Sequence, residues 1–149
     1  MPKPAKIVVL DDTYLYLTGI TKILRDEGYE VFAILYAEKE DEKKGIDLFT
    51  TDAREAATAI VAFKPDMVLL DHNLNSAGAT GQKVAELSGV PKKKTLGISD
   101  LGRQQEGYCV EQLAVAKLEL TEPFAKRRQT EADNAATIFL AQVANLLEK

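Results

Sequence analysis

Apolar and polar positions alternate in blocks along this chain and sort it into short buried strands and amphipathic helices. Ile7-Val8-Val9-Leu10 is an unbroken apolar run ending in Asp11-Asp12, and Met67-Val68-Leu69-Leu70 is a second, ending in Asp71. Short apolar runs bounded by polar residues read as strands buried on both faces. After the first run, Thr13 can cap a helix carrying Tyr14, Leu17, Ile20, Ile23 and Leu24 at helical spacing, with Gly28 as its stop. Residues 29–36 are rich in β-branched and aromatic types and predict a second strand. Asp52 and Glu55 form a capping-box pattern ahead of Ala56, Ile60 and Val61, and Pro65 ends that helix before the strand at Met67. The pattern then predicts a short helix over 82–87, a fourth strand over 95–99, a helix near 111–115 and a fifth strand over Lys117–Leu120. Ala132, Ala135, Phe139, Val143 and Leu146 recur every three or four residues and predict a long final helix. This alternation predicts an α/β fold: a doubly wound, five-stranded parallel sheet with helices on both faces, joined by right-handed crossovers in one domain over 1–149.

Two stretches interrupt the rhythm. Glu38-Lys39-Glu40-Asp41-Glu42-Lys43-Lys44, followed by Gly45, reads as a solvated loop, with partner docking the second reading. Residues 124–129 contain Lys126-Arg127-Arg128, a small basic cluster that reads as solvated as well.

Composition narrows the class without naming a chemistry. At 149 residues, 46% apolar and 28% charged, the chain has ordinary globular values. A net charge of −4 with no basic stripe gives no sign of nucleic-acid binding. The lone Cys109 excludes an internal disulfide framework and a multi-cysteine metal site. Residues 1–6 lack the apolar stretch of a signal peptide and no segment is apolar enough to span a bilayer, so a cytoplasmic protein is expected.

The chemistry lies in the acidic strand ends. In an open parallel sheet, ligands bind beyond the carboxyl ends of the strands. Asp11, Asp12 and Asp71 gathered there repel one another unless a cation or proton joins them, which points to a Mg²⁺-type site.

The order of motifs resembles the receiver domain of bacterial two-component response regulators. It comprises an acidic pair after strand one, a single Asp after strand three, a hydroxyl residue after strand four and an X-Pro after strand five. Gly28-Tyr29-Glu30-Val31 resembles the family's entry to strand two, and Lys64-Pro65-Asp66-Met67-Val68-Leu69-Leu70-Asp71 its approach to the phosphoacceptor. The resemblance runs over about 6–147 and implies a flavodoxin-like fold of receiver type. It implies that Asp71 accepts a phosphoryl group from a sensor histidine kinase or phosphotransfer protein. Asp11 and Asp12 would hold Mg²⁺ with Asp71 and the backbone carbonyl of Asn73, Asp12 more directly than Asp11. Ser99 would be the switch hydroxyl. Output would pass to a downstream protein by contact, without nucleic acid, membrane or enzymatic turnover, and a homodimer is left open.

The pattern also departs from that family. The family's Lys before the Pro that follows strand five falls on Glu122, its aromatic switch three residues earlier on Glu119, and the Pro after the phosphoacceptor strand on Asn75. The loop over 75–80 is longer than usual if Gly81 is the family's glycine. An anion at Glu122 would add like-charge pairs worth on the order of 4 kcal/mol each at about 4 Å and an effective dielectric of 20. Lys117 or Lys126 could reach in instead, though no motif marks either. A degenerate receiver that binds partners without phosphorylation is therefore the alternative, and a small metal-dependent phosphohydrolase a third. His72, the only histidine, is expected to point away from Asp71 and lacks the Asp-x-His spacing of cobalamin-binding relatives. Leu10-Asp11-Asp12-Thr13 lacks the second Asp of haloacid-dehalogenase phosphatases, and Gly97 and Gly102 form no phosphate cradle.

Overall fold

A computed structural model describes residues 3–74, 80–99, 105–121 and 129–148, with the side chains of 129–133 left aside. The strands are β1 (Lys6–Asp11), β2 (Glu30–Leu35), β3 (Leu48–Phe49), β4 (Met67–Leu70), β5 (Thr95–Gly97) and β6 (Glu111–Gln112). The helices are α1 (Tyr14–Asp26), α2 (Ala53–Phe63), α3 (Gly81–Ser88) and α4 (Gln129–Leu147). All strand pairs are parallel, in the order β3-β2-β1-β4-β5-β6.

Strand alternation divides the core into two layers. Ile7 and Val9 of β1, Met67 and Leu69 of β4 and Leu96 of β5 face α1 and α4, where they meet Leu17, Ile20, Leu24, Phe139 and Val143. Val8, Leu10, Val68 and Leu70 face the other way, onto Ala56 and Ile60 of α2 and Val84 of α3. Because β1 and β4 are covered on both sides, their runs are apolar throughout and carry no period-two signal. The chain goes outward from β1 to β2 and then back across β1 to β4, so the direction of winding reverses between β1 and β4. A crevice opens at such a reversal, beyond the carboxyl ends of the two strands.

The helix punctuation follows local chemistry. The Asp52 side chain accepts the Arg54 N–H at the start of α2, and Thr80 accepts the Lys83 N–H at the start of α3. Gly89 closes α3 in the left-handed region at φ 70°, a conformation that costs glycine nothing.

The strand count exceeds the expected five, and both edges explain why. β3 joins β2 in parallel without a helical crossover. The Asp47 carboxylate accepts the Ala33 N–H at 2.8 Å and pairs with Arg25 of α1 at 2.9 Å, so the return is held by side chains. Within that connection the charged residues 38–42 are exposed, while Tyr14 of α1 binds the backbone of Lys44 through its hydroxyl.

At the other edge two expectations are corrected. The helix expected near 111–115 is instead the strand β6, and the strand expected over Lys117–Leu120 is a 3₁₀ turn. Leu118 and Leu120 mimic strand alternation, but Leu118 is 52% exposed, and the buried pair is Lys117 and Leu120, three apart. That is the period of a 3₁₀ turn, and a buried lysine hides it from any hydrophobic pattern. β6 is polar because it is a short edge strand, where charge deters pairing with another chain. It is fixed by α4: Gln142 accepts the Ala114 N–H and donates to the Gln112 carbonyl and the Glu111 carboxylate. The basic cluster Lys126-Arg127-Arg128 and Gly102 lie outside the described residues.

Gly19 lets α1 lie directly on the 3₁₀ turn, since a Cβ there would run into the Leu120 carbonyl. Gly19→Ala gains helix propensity of about 1 kcal/mol. The collision is with backbone, which yields less readily, and overpacking of this kind costs about 1–3 kcal/mol. A net loss of stability in urea unfolding is expected, and a gain would show that α1 and the turn do not touch at this point.

Candidate functional site

Asp11 ends β1 and Asp71 follows β4, so both carboxylates enter the crevice at the winding reversal. Asp11 is fully buried, Asp71 is 6% exposed and Asp12 is half-buried. One oxygen from each of the three lies within 4.8 Å of the others. The Asp11 carboxylate is fully engaged: Oδ1 accepts the Thr13 N–H at 2.9 Å, and Oδ2 accepts from Lys117 Nζ at 2.8 Å. The same ammonium reaches Asp71 Oδ1 at 3.4 Å. Lys117 is itself 4% exposed, and its Nζ stands 4.8 Å from the centroid of the Tyr16 ring.

The cleft therefore holds a cation that the position of Pro123 had assigned elsewhere. Glu122 and Pro123 lie outside the described residues, as do Asn75 and the rest of 75–79. Counting the family's lysine at Lys117 moves the position three residues earlier from Glu119 to Ala114, which is exposed and still not aromatic. Lys117 is followed by Leu118, so no Lys-Pro pattern marks it in the sequence.

Burial is the largest influence on the acidic groups. It raises Asp11 to about 7, with repulsion from Asp71 adding to the shift and Lys117 opposing it. It raises Asp71 to about 6, with Lys117 opposing and Asp12 adding. Three carboxylates around one ammonium leave an excess of negative charge, and protons take it up when nothing else does. The donor set is all oxygen, the chemistry that suits a hard cation such as Mg²⁺. The three carboxylates thus fit a divalent cation, and Asp12, which among the described residues accepts only from the Thr13 hydroxyl at 3.3 Å, is the one most available as a direct ligand.

The remaining expected residues sit around this cluster. Asn73 is exposed and bridges Thr80 across the loop ahead of α3. Gly81 opens α3 against the Asp71 carbonyl, so close that any Cβ there would strike it. Ser99 follows β5 and is half-buried, and its N–H donates to Gln105 Oε1 at 3.1 Å. Gln105, fully buried, was not foreseen. Its Nε2 donates to the Leu70 carbonyl at 2.7 Å and to the Tyr108 hydroxyl at 3.0 Å, tying the Ser99 loop to the residue before Asp71. Tyr108 also meets His72 Nδ1 at 2.9 Å, which gives the lone histidine a partner away from the carboxylates. Nothing in the sequence marks Gln105, because one of two adjacent glutamines in a polar stretch has no pattern.

No family model matches the chain, and no curated protein matches its sequence. Solved structures do match. The response regulator domain of CheB from Thermotoga maritima superposes with a TM-score of 0.54 at 14% identity, over 98% of both chains. The receiver domain of a sensor histidine kinase from Pseudomonas aeruginosa, whose structure has a magnesium ion coordinated in the active-site cleft, gives 0.52 at 16%, covering 90% of this chain and 98% of that one. The signal receiver domain of a modulated diguanylate cyclase from Desulfovibrio desulfuricans gives 0.52 at 16%, over 91% and 98%.

The fold is that of a receiver domain. This fold differs from the sequence expectation chiefly at β6 and the turn after it, the part that delivers Lys117. No helix among the described residues is long and apolar enough to cross a membrane.

The raised carboxyls give a pH dependence with a definite sign. The folded protein holds protons on Asp11 and Asp71 at pH values where the unfolded chain, with carboxyls near 3.8, has released them. The stability from these groups is therefore full below about pH 4 and is lost as pH rises through about 6 to 7. In chelator, the unfolding free energy should fall between pH 5 and pH 8, and Asp71→Asn should lower the Asp11 titration midpoint seen by carboxyl ¹³C NMR. An Asp11 midpoint that stays put in Asp71→Asn would show that the two carboxylates do not interact.

Proposed function

We propose that the chain is a signalling receiver whose Asp71 accepts a phosphoryl group from a phosphohistidine donor with the help of Mg²⁺. The observation that carries this reading is the convergence of Asp11, Asp12 and Asp71 on the Lys117 ammonium at the winding reversal of the sheet. The transfer forms a bond between an Asp71 oxygen and phosphorus and breaks the phosphorus–nitrogen bond of the donor, which leaves as a neutral imidazole once protonated. A carboxylate attacks a charged phosphoryl group poorly unless positive charge stands beside the equatorial oxygens. Lys117 supplies part of that charge, and Asp71 must give up its proton first, which neutral pH favours given a value of about 6.

Asp12, Asp11, Asp71 and the Asn73 carbonyl would hold Mg²⁺, which when bound neutralises the phosphoryl oxygens. Ser99 would donate its hydroxyl to one of those oxygens. The Gln105 bridge between its loop and the Leu70 carbonyl would then feel the change. The output would be contact with a downstream protein, in the cytoplasm and without catalytic turnover.

A second reading rests on a particular observation. Ala114, exposed ahead of the turn that carries Lys117, offers no aromatic ring to swing. A degenerate receiver that binds its partner regardless of phosphorylation accords with that surface.

Incubation with acetyl phosphate and Mg²⁺ followed by mass spectrometry separates the readings. One phosphoryl group on the peptide containing Asp71, lost in Asp71→Asn and in chelator, is the expected result. No labelling would favour the degenerate module, and sustained release of inorganic phosphate beyond one equivalent would point to a hydrolase. Mg²⁺ titration followed by amide NMR gives a second check. Asp12→Asn should weaken binding more than Asp11→Asn, because Asp11 is already committed to Thr13 and Lys117.

A further inference from the structure

Lys117 reaches the cleft on a flexible four-carbon stem from a short turn at the edge of the sheet, and holding such a side chain in one place costs rotamer entropy. The two carboxylates it reaches are also groups whose charge changes: Asp71 when it carries a phosphoryl group, Asp11 when a divalent cation arrives. Hydrogen bonds to these carboxylates cannot by themselves keep the ammonium in the cleft through such changes. A further described neighbour that draws on its charge is the Tyr16 ring, at 4.8 Å.

Tyr16 owes its place to helix geometry. Two residues along an α-helix turn by roughly 200°, so Tyr14 and Tyr16 point to opposite sides of the first turn of α1. Tyr14 binds Lys44 of the charged loop, whereas Tyr16 stands over Lys117. A ring attracts a cation through its face, broadly and without a fixed donor direction. The ammonium can therefore shift between Asp11, Asp71 and a phosphoryl oxygen without leaving it.

We propose that Tyr16 is a positioning residue for Lys117, holding its ammonium between Asp11 and Asp71 so that it competes with a divalent cation at Asp11 yet stays ready for the phosphoryl group. The metal half of this inference needs only the carboxylate cluster, and the transfer half rests on the proposed phosphoacceptor function.

The two halves predict opposite effects, which a merely loosened fold would not produce. In Tyr16→Leu the ammonium is less confined, so Mg²⁺ binding should tighten while Asp71 labelling by acetyl phosphate slows, each by about two- to five-fold. Tyr16→Phe keeps the ring and should restore both. The Lys117 ε-methylene should show an upfield ring-current shift in the unmutated protein and in Tyr16→Phe, and lose it in Tyr16→Leu, with urea unfolding confirming that each variant is folded. In a Lys117→Met background, Tyr16→Leu should leave Mg²⁺ affinity unchanged. Weakening or constancy of both metal binding and labelling in Tyr16→Leu would overturn the proposal, as would an effect that survives in Lys117→Met. If the unmutated protein is not labelled, the proposed function falls, and the Mg²⁺ affinities and the ring-current shift still decide the role of Tyr16.

Discussion

The ammonium of Lys117, shared between Asp11 and Asp71, is the interaction around which this molecule is arranged. The sheet's winding reverses between β1 and β4, and both strands end in carboxylates, so folding drives like charges together in a place with little water. Bringing one charge of such a pair into the interior unpaired costs several kcal/mol, and a cation drawn from a distant part of the chain is what makes the arrangement tolerable. Even so the balance is incomplete, and the raised carboxyl values of Asp11 and Asp71 register the excess negative charge. A cleft in that condition has a standing appetite for a further cation or for protons.

The delivery of that cation accounts for the departures at one edge of the sheet. β6 is only two residues long and polar, yet it must set the start of the turn that carries Lys117. Gln142 reaches across from α4 to satisfy its backbone, and Gly19 lets α1 close on the turn from the other side. The opposite edge follows the same principle, with Arg25 and Asp47 holding β3 where a helix would otherwise direct the chain. In both places side-chain hydrogen bonds to backbone do the work that regular secondary structure does elsewhere, which is how short edge strands persist.

Behind the cleft, Gln105 couples what would otherwise be two separate loops. Its amide joins the Ser99 backbone to the carbonyl preceding Asp71, and Tyr108 extends the link to His72. A buried amide with both ends engaged is rigid, because losing either end strands a polar group away from water. Movement at Asp71 and movement at Ser99 are for that reason not independent in this fold.

The sequence by itself determined the layers and the acidic end of the site. Apolar runs buried on both faces, Gly28 and Gly89 as stops and the Asp52 cap are local signals, and each has its physical cause within a few residues of chain. Asp11, Asp12 and Asp71 were legible for the same reason, since a strand end places its next residue at the sheet's edge whatever surrounds it. Tertiary structure alone decided the rest. β6 is a strand because β5 offers it carbonyls and α4 offers it Gln142, while its own residues favour no strand. Lys117 is the cleft's cation because a 3₁₀ turn buries it beside carboxylates over a hundred positions away in sequence for Asp11, and Tyr16 and Gln105 acquire their partners in the same way. Long-range electrostatics selects residues by where the fold places them, and spacing along the chain carries no trace of that choice.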